Sequence, residues 1–187
     1  PPAAAPAAAA AADGGSPAAA AGLASAVSTG TSRPWLVSVT MAGDAEAIVG
    51  DALRSVEGLV DACLLLDTGI TDRTIEVARE VAGDRLVVRS FPWIGDFSAA
   101  RNAALAEAAA LGAAWAIIVD TDERIRSGGA DLRQALAALP VDALLAWHES
   151  GAYRKERLFR LPARGRYVGP THEAFVASGT VGSIDGL

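Results

Sequence analysis

Cysteine, histidine and lysine are scarce in this sequence of 187 residues. The chain has one cysteine, Cys63, two histidines and one lysine, Lys155. A single cysteine excludes an internal disulfide and a cysteine-based zinc site. Because Cys63 lies in an apolar run, we expect it to pack as a small hydrophobic side chain. Aromatic residues make up only 5% of the chain, so alanine accounts for much of its 51% hydrophobic content.

The chain also carries fewer positive than negative charges. The net charge is −6 and the pI is near 4.9, whereas binding to nucleic acid needs a strong cationic field. We therefore predict no nucleic-acid partner. Outside the alanine-rich start there is no run of about 18 strongly apolar residues that could cross a membrane. No lysine or arginine precedes Arg33, which is not typical of a signal peptide, and we expect a cytoplasmic protein without a transmembrane segment.

The beginning of the chain differs in composition from the rest. Its first thirty residues contain fifteen alanines, four prolines and one charged residue, Asp13. Such a segment buries too little apolar surface to offset its chain entropy. We predict a tail or linker over residues 1–33, in which residues 17–28 could form a short helix. The folded domain is then expected over residues 34–187.

Strand-like and helix-like patterns alternate from Pro34 onward. Apolar runs predict strands at 35–40, 61–67, 85–89 and 114–120. The predicted helices between them are one through Leu53 and Val56, one capped by Thr71 or Asp72, and one over 97–111 capped by Asp96 or Ser98. After residue 141 the runs become shorter and strand-like, at 143–147, 158–161 and 174–177. The sequence therefore predicts an α/β fold: a mostly parallel sheet flanked by helices, with a short mixed β extension.

Acidic residues end two of the predicted strands. In a parallel sheet, ligands bind beyond the carboxyl ends of the strands. Asp120 and Asp122 are spaced so that both carboxylates can face one cavity, and their oxygens suit Mg²⁺ or Mn²⁺, which can bridge a diphosphate. The alternative is a solvated acidic turn. Asp67 ends the earlier strand and could accept hydrogen bonds from a nucleobase or ribose, although Asp67 to Thr71 could also be a plain strand–turn–helix junction in which Gly69 permits a tight turn.

Basic residues form a local cluster in this acidic chain. Six of the sixteen arginines and lysines fall within residues 154–166, which fits a phosphate-bearing ligand or a solvated strand face. Arg101, near the start of a predicted helix, could donate to phosphate or to the acidic pair, or could form a surface salt bridge. His172 beside Glu173 is weak evidence alone, because a lone histidine is more often structural than catalytic.

Taken in order, four motifs resemble those of glycosyltransferase family 2, whose members have the GT-A fold and transfer sugars from nucleotide donors. They are LLLDTGITDRT at 64–74, FPWIGDFSAARNAAL at 91–105, VDTDE at 119–123, and a segment at 157–173 that begins RLFR and ends HE. The match spans roughly residues 35–175. It is most similar to a bacterial branch that includes lipopolysaccharide-core sugar transferases and enzymes that glycosylate peptides.

The resemblance implies a role for each motif. The donor is expected to be a nucleotide-diphosphate sugar, with a UDP-sugar favoured, and the reaction an inverting transfer that needs Mn²⁺ or Mg²⁺. The acceptor would be a saccharide, a lipid-linked sugar or a peptide. Asp122, helped by Asp120, would hold the metal, and Glu173 is the first candidate base, with His172 the second. The implied donor-binding residues are Asp44, Asp67, Gly69, Arg101, Asn102 and Asp120.

The sequence departs from the family pattern at two places. After the first strand it has Ala42-Gly43-Asp44 where the family usually has Lys-Asn-Glu, so Asp44 stands in for the glutamate. The chain also stops at Leu187, soon after the His-Glu pair. We expect the acceptor site to be incomplete in this chain, or to be supplied by a partner or by a further segment.

Two other functions remain open. The first is a GT-A module that binds a nucleotide sugar without turnover. The second is a haloacid-dehalogenase-type phosphatase, because an apolar strand followed by Asp67 to Thr71 also resembles its aspartyl-phosphate turn. In that family, however, a lysine precedes the second acidic pair, whereas Lys155 follows it. A dinucleotide-binding enzyme is disfavoured because no G-x-G-x-x-G follows the first strand.

Overall fold

A seven-stranded mixed sheet lies at the centre of the chain. The structure, a computed structural model, describes residues 33–126, 129–148 and 150–184. The predicted tail and the predicted helix at 17–28 therefore lie outside the described residues, apart from Arg33. The described residues all belong to the unit Thr31–Leu187.

The sheet combines a parallel part with a mixed part. Its strands are β1 (Leu36–Ala42), β2 (Ala62–Asp67), β3 (Leu86–Ser90), β4 (Trp115–Ile118), β5 (Ala143–Trp147), β6 (Arg154–Arg160) and β9 (Val181–Ile184), in the spatial order β3-β2-β1-β4-β6-β5-β9. Strands β1 to β4 are parallel to one another, and β6 runs antiparallel to both β4 and β5. A separate antiparallel pair is formed by β7 (Gly165–Val168) and β8 (Ala174–Ala177).

Helices cover both faces of the sheet, because successive strand residues point to opposite sides. The helices are α1 (Val49–Ser55), α2 (Thr74–Ala82), α3 (Phe97–Ala110) and α4 (Gly129–Ala138). On one face Leu65, Trp115 and Ile117 pack with α1, α2 and α4, and on the other face Leu64 and Ile118 pack with α3 and β7. The predicted α/β class, with its mostly parallel sheet and short mixed extension, is confirmed.

Local details differ from the sequence-based expectation in two places. Helix α2 has Arg73 at its N-cap position, but the predicted Asp72 accepts from the N–H of Thr74, the first helical residue, at 2.9 Å. The other predicted cap, Thr71, bonds to Asp44 instead. Helix α3 is capped by Asp96, as one of the two predicted options. The second difference is that α4, β7 and β9 lie in segments where no element was predicted.

The predictions for Cys63 and for a transmembrane segment can also be compared with the structure. Cys63 is 2% exposed and packs in the core as a small apolar side chain, and burial raises the pKa of its thiol. Within the described ranges, no helix is long and apolar enough to cross a membrane.

The parallel strands bring four loops to one edge of the sheet. Ala42 at the end of β1 is in register with Asp67 at the end of β2, which is in register with Ser90 in β3. On the other side of β1, Val119 N–H donates to the Val39 carbonyl at 3.0 Å, directly after β4. Asp67 and the acidic turn that follows Val119 therefore end strands on either side of β1.

Asn102 ties α3 to β7 beside this edge. Its side-chain nitrogen donates to the Tyr167 carbonyl at 2.9 Å, and its oxygen accepts from Tyr167 N–H at 2.8 Å. A second link lies one turn earlier, where Phe97 N–H donates to the Pro170 carbonyl at 3.0 Å. These bonds fix the segment that carries His172 and Glu173 against the start of α3.

We predict that Asn102→Ala lowers the free energy of unfolding by about 2 kcal/mol, because it leaves two part-buried backbone groups of Tyr167 without partners. Urea denaturation measures the change. The matched control is Glu107→Ala on the same helix, which removes a half-exposed ion pair with Arg89 and should cost less than about 0.5 kcal/mol. Equal effects of the two substitutions would contradict the structural role of Asn102.

Candidate functional site

An acidic turn follows β4 at the carboxyl edge of the sheet. Glu123 N–H donates to the Asp120 carbonyl at 2.9 Å, and Asp120 N–H donates to Glu123 Oε2 at 3.3 Å. These two bonds close the turn and hold Asp120 partly buried, while Asp122 at its tip is exposed. The two aspartates of the predicted pair therefore have different surroundings.

Arg101 joins the acidic turn to the predicted His-Glu pair. Its Nη1 and Nη2 donate to the two oxygens of Asp120 at 2.9 and 3.1 Å, and its Nε donates to Glu173 Oε1 at 2.5 Å. The side chains of Arg101, Asp120 and Glu173 are 11%, 22% and 15% exposed. Of the alternatives open for Arg101, the surface salt bridge is therefore excluded, since this pairing is largely buried.

Two further cations pair with the same turn. Arg157 is buried, donates to Glu123 Oε1, and lies 3.5 Å from Asp120 Oδ2. Lys155 Nζ lies 3.9 Å from Glu123 Oε1. The basic cluster noted in the sequence thus supplies two charges to the acidic turn through the first half of β6.

These contacts determine the ionisation of Asp120. Burial disfavours its charged form, but the hydrogen bonds and charge of Arg101, with the charges of Arg157 and Lys155, hold the pKa of Asp120 below its usual value. For Arg101, burial is likewise outweighed by its bonds to Asp120 and Glu173, and its pKa is raised. Asp120 and Arg101 are therefore both charged at neutral pH.

The loops after β1 and β2 form a separate hydrogen-bond network. Asp44 accepts from Thr71 N–H at 2.6 Å and from the Thr71 hydroxyl at 2.8 Å, and the pKa of Asp44 is lowered chiefly by these bonds. Asp67 Oδ1 accepts from Gly69 N–H and Ile70 N–H, both at 2.8 Å. Gly69 has a φ of +119°, so the tight turn expected there does require glycine.

A cavity of about 510 Å³ opens beside the exposed carboxylate of Asp122. Its polar wall carries two carboxylates and four cations, and its other side is formed by the end of β5 and the turn after it. Its lining residues include Asp122, Glu123, Arg124, Arg126, Trp147 and His148, together with Lys155 and Arg157.

A second cavity, of about 600 Å³, lies at the start of α3. Arg101, Tyr167, His172 and Glu173 line it, and it shares Lys155 and Arg157 with the first cavity. The two cavities therefore adjoin along β6. His172 has a φ of +53°, a left-handed conformation that is uncommon for residues other than glycine.

The predicted site residues fall into three groups. Asp122 lines the first cavity, while Arg101, His172 and Glu173 line the second. Asp120 is linked to the residues of both cavities through its ion pairs. The remaining predicted residues, Asp44, Asp67, Gly69 and Asn102, are not among the lining residues of either cavity.

Several lining residues were not named as site residues from the sequence. Lys155 and Arg157 belong to the basic cluster, and Glu123 to the acidic motif, so a signal existed for these three. Trp147 and His148 had no sequence signal, because they become part of the cavity only through the pairing of β5 with β6.

The residues around Asp122 fit a divalent cation that is shared with a ligand. Among the described residues, no three His, Cys, Asp or Glu side chains are close enough to hold a metal ion alone. Mg²⁺ is usually bound through one or two carboxylates together with substrate phosphates and water. The exposed Asp122 carboxylate suits such a site. Both oxygens of Asp120 are already bonded to Arg101.

Comparison with known proteins gives matches of limited extent. No family model matches the sequence. A TPR repeat-containing protein from Synechococcus elongatus is 36% identical over 137 residues, which cover 70% of this chain. The chain spans about a third (32%) of the length of that relative.

Solved structures with a similar fold include a glucosyl-3-phosphoglycerate synthase from Mycobacterium tuberculosis. It is 19% identical, with a TM-score of 0.47, and the match covers 67% of this chain and 57% of the enzyme. The same enzyme in complex with Mn²⁺, UDP-glucose and phosphoglyceric acid matches at 21% identity and a TM-score of 0.44, over 63% of this chain and 45% of the enzyme. Superpositions this loose carry no argument about the activity of this chain.

We predict that Asp120→Asn destabilises the protein mainly at neutral pH. The pKa of Asp120 is lower in the folded than in the unfolded state, so its stabilisation is present above the unfolded value, near 4, and is lost as the pH falls through the folded value. The substitution should cost about 3 kcal/mol at pH 7, because it leaves buried cations short of a partner.

The cost of Asp120→Asn should shrink toward pH 3, because below about 4 the carboxyl is protonated in the unfolded state and its stabilisation of the folded state begins to be lost. Urea unfolding at both pH values measures the difference. Asp122→Asn, at the exposed tip of the same turn, is the control and should change stability by less than about 0.5 kcal/mol. A cost for Asp120→Asn that does not depend on pH would show that charge pairing is not its cause.

Proposed function

We propose that this chain is the donor-binding and catalytic part of a metal-dependent inverting glycosyltransferase that uses a nucleotide-diphosphate sugar, with a UDP-sugar favoured. The observation that carries the proposal is the pairing, through Arg101, of the acidic turn with Glu173 beside two adjoining cavities. The order of the four family-like motifs supports the same function.

The first cavity suits the diphosphate of such a donor. Arg124, Arg126 and Lys155 supply cations around the exposed Asp122, and a volume of about 510 Å³ is within the usual range for small-molecule sites. Asp122 would hold the Mn²⁺ or Mg²⁺ ion. When bound, that ion would neutralise charge on the leaving diphosphate.

The second cavity suits the acceptor, which in our proposal is a saccharide, a lipid-linked sugar or a peptide. An acceptor hydroxyl would attack the anomeric carbon from the face opposite the leaving group. The new bond joins the acceptor oxygen to that carbon, the bond from the carbon to the phosphate oxygen breaks, and the nucleoside diphosphate leaves. Glu173 would take the hydroxyl proton, with His172, which lines the same cavity, as the second candidate.

Asp67 and Asp44 have a supporting role in this proposal. Their side chains hold the loops after β1 and β2 in place through backbone N–H groups of residues 69–72. The part-exposed Asp67 lies at the carboxyl edge, where a base or ribose would extend from the diphosphate. Asn102 would act indirectly, by fixing β7 against α3.

A nucleotide-sugar-binding module without turnover is the second candidate. It is favoured by the fact that Glu173 Oε1 and both oxygens of Asp120 are bonded to Arg101. Tight donor binding, with neither transfer to a broad acceptor panel nor donor hydrolysis, would support the module. Steady phosphate release from a generic phosphomonoester in the presence of metal would instead support the phosphatase alternative. The structure disfavours a phosphatase, because Lys155 lies beside Glu123 in cavities that Asp67 does not line.

We expect UDP-sugars to raise the melting temperature only when Mn²⁺ or Mg²⁺ is present, since a ligand that binds only the folded state stabilises it. At a ligand concentration 100 times its Kd, the stabilisation is about 2.7 kcal/mol. Asp122→Ala should abolish the metal-dependent part of this shift. Asp84→Ala, an exposed substitution in the turn before β3, should leave it unchanged. A full shift in Asp122→Ala would refute the assignment of the metal to Asp122.

We also expect Glu173→Gln to reduce sugar transfer by about 10²- to 10⁴-fold, the usual contribution of a general base, while metal-dependent donor binding is retained. His172→Asn should reduce transfer less than tenfold. Steady-state kinetics with the best acceptor found in a panel measures both. The opposite ranking of the two variants would make His172 the base.

A further inference from the structure

The guanidinium group of Arg101 makes three hydrogen bonds to two carboxylates. Each of its three nitrogens donates to a carboxylate oxygen of Asp120 or Glu173. Its central carbon also lies 5.6 Å from the centroid of the Tyr167 ring, within the range of a cation–π contact. Two carboxylates thus face one guanidinium, and Arg157 lies 3.5 Å from Oδ2 of Asp120.

This arrangement does not suit a phosphate ligand. A diphosphate that bound Arg101 through the fork that faces Asp120, or through Nε, would have to displace a carboxylate and leave it partly buried without its partner, which is strongly unfavourable. It would also approach two carboxylates that are already in place. Arg101 does not line the cavity beside Asp122. These facts argue against the donor contact that the motif resemblance implies.

The contacts of Arg101 instead fix two separate segments of the chain. One is the turn that carries Asp120 and Asp122. The other is the segment over residues 169–173, in which His172 has a left-handed backbone. For a residue other than glycine, such a conformation costs free energy and persists only when its surroundings hold it. The bonds from Phe97 N–H to Pro170 and from Arg101 to Glu173 hold this segment from both ends.

We propose that Arg101 is a positioning residue that orients Glu173 and Asp120 and does not bind the donor diphosphate. Because Arg101 Nε holds Oε1 of Glu173, Oε2 is the oxygen left for the proton of the acceptor. This assignment rests on the proposed function for its catalytic part. The structural part of the assignment, that Arg101 holds residues 169–173 in place, does not depend on the proposed function.

Arg101→Lys is the decisive substitution. Lysine keeps the positive charge but lacks the planar fork that reaches Asp120 and Glu173 at once. The matched control is Arg89→Lys in β3. It alters a half-exposed ion pair with Glu107, which lies on the same helix as Arg101. Hydrogen exchange of the ligand-free proteins gives the first measurement. We expect exchange at the paired amides of β7 and β8, which flank residues 169–173, to become at least tenfold faster in Arg101→Lys, while β1 and the Arg89→Lys protein remain unchanged.

Kinetics gives the second measurement. We expect Arg101→Lys to lower kcat at least 100-fold while metal-dependent affinity for the UDP-sugar changes less than threefold. A diphosphate ligand would behave differently: its loss would weaken donor affinity at least as much as kcat. Added guanidinium should restore part of the kcat of Arg101→Ala, because it can occupy the vacated position between the two carboxylates.

The outcomes separate the two proposals. Unchanged exchange in β7 and β8, or a loss of donor affinity with unchanged kcat, would overturn the positioning role. If the wild-type protein binds no nucleotide sugar, the proposed function fails, but the exchange result still tests the structural role. Should Arg101→Lys not fold, Glu173→Gln weakens the same contact from the other side, and it should also accelerate exchange in β7 and β8.

Discussion

The pairing of Arg101 with Asp120 and Glu173 is the interaction on which the rest of the site depends. Partly buried charges are tolerated only when they are paired and hydrogen bonded, and each of these three side chains is less than a quarter exposed. The pairing joins segments that are 19 and 72 residues away from Arg101 in the sequence. It therefore determines where the acidic turn lies relative to the segment that carries His172 and Glu173.

The parallel sheet makes this pairing possible. Parallel strands place their carboxyl ends at one edge, so the loops after β1, β2 and β4 lie there together. The antiparallel β6 then runs beside β4 and brings Arg157 and Lys155 to the same edge from the opposite direction. If β6 ran parallel to β4, the start of β6 would lie at the opposite edge of the sheet, away from the acidic turn. The mixed part of the sheet thus supplies the cations that the parallel part lacks.

Structure could be predicted best from the sequence where a residue type has a single physical role. Mainly apolar runs located β1 to β4, because a strand covered on both faces is largely apolar, although β3 ends in the exposed Arg89 and Ser90. Strands β7 (GRYV) and β9 (VGSI) could not be recognised in this way, because glycine and a polar residue make up half of each segment. The equally short β8 (AFVA) is apolar and was predicted. The acidic motif placed Asp122 at a cavity. It could not show that Asp120 would bond to Arg101, because that contact depends on how α3 packs against the sheet.

The charges at the first cavity explain why a divalent cation belongs in the proposed reaction. Arg157 and Lys155 lie beside Glu123, and Arg124 donates to the carbonyls of Thr121 and Glu123. Much of the positive charge around the cavity is therefore already engaged, while Asp122 adds an exposed negative charge. A diphosphate brought to this position would meet the Asp122 carboxylate directly. A divalent cation between Asp122 and the diphosphate would replace this repulsion by attraction to the cation. Asp122, which disfavours binding of the metal-free donor, would then bind the donor through the cation.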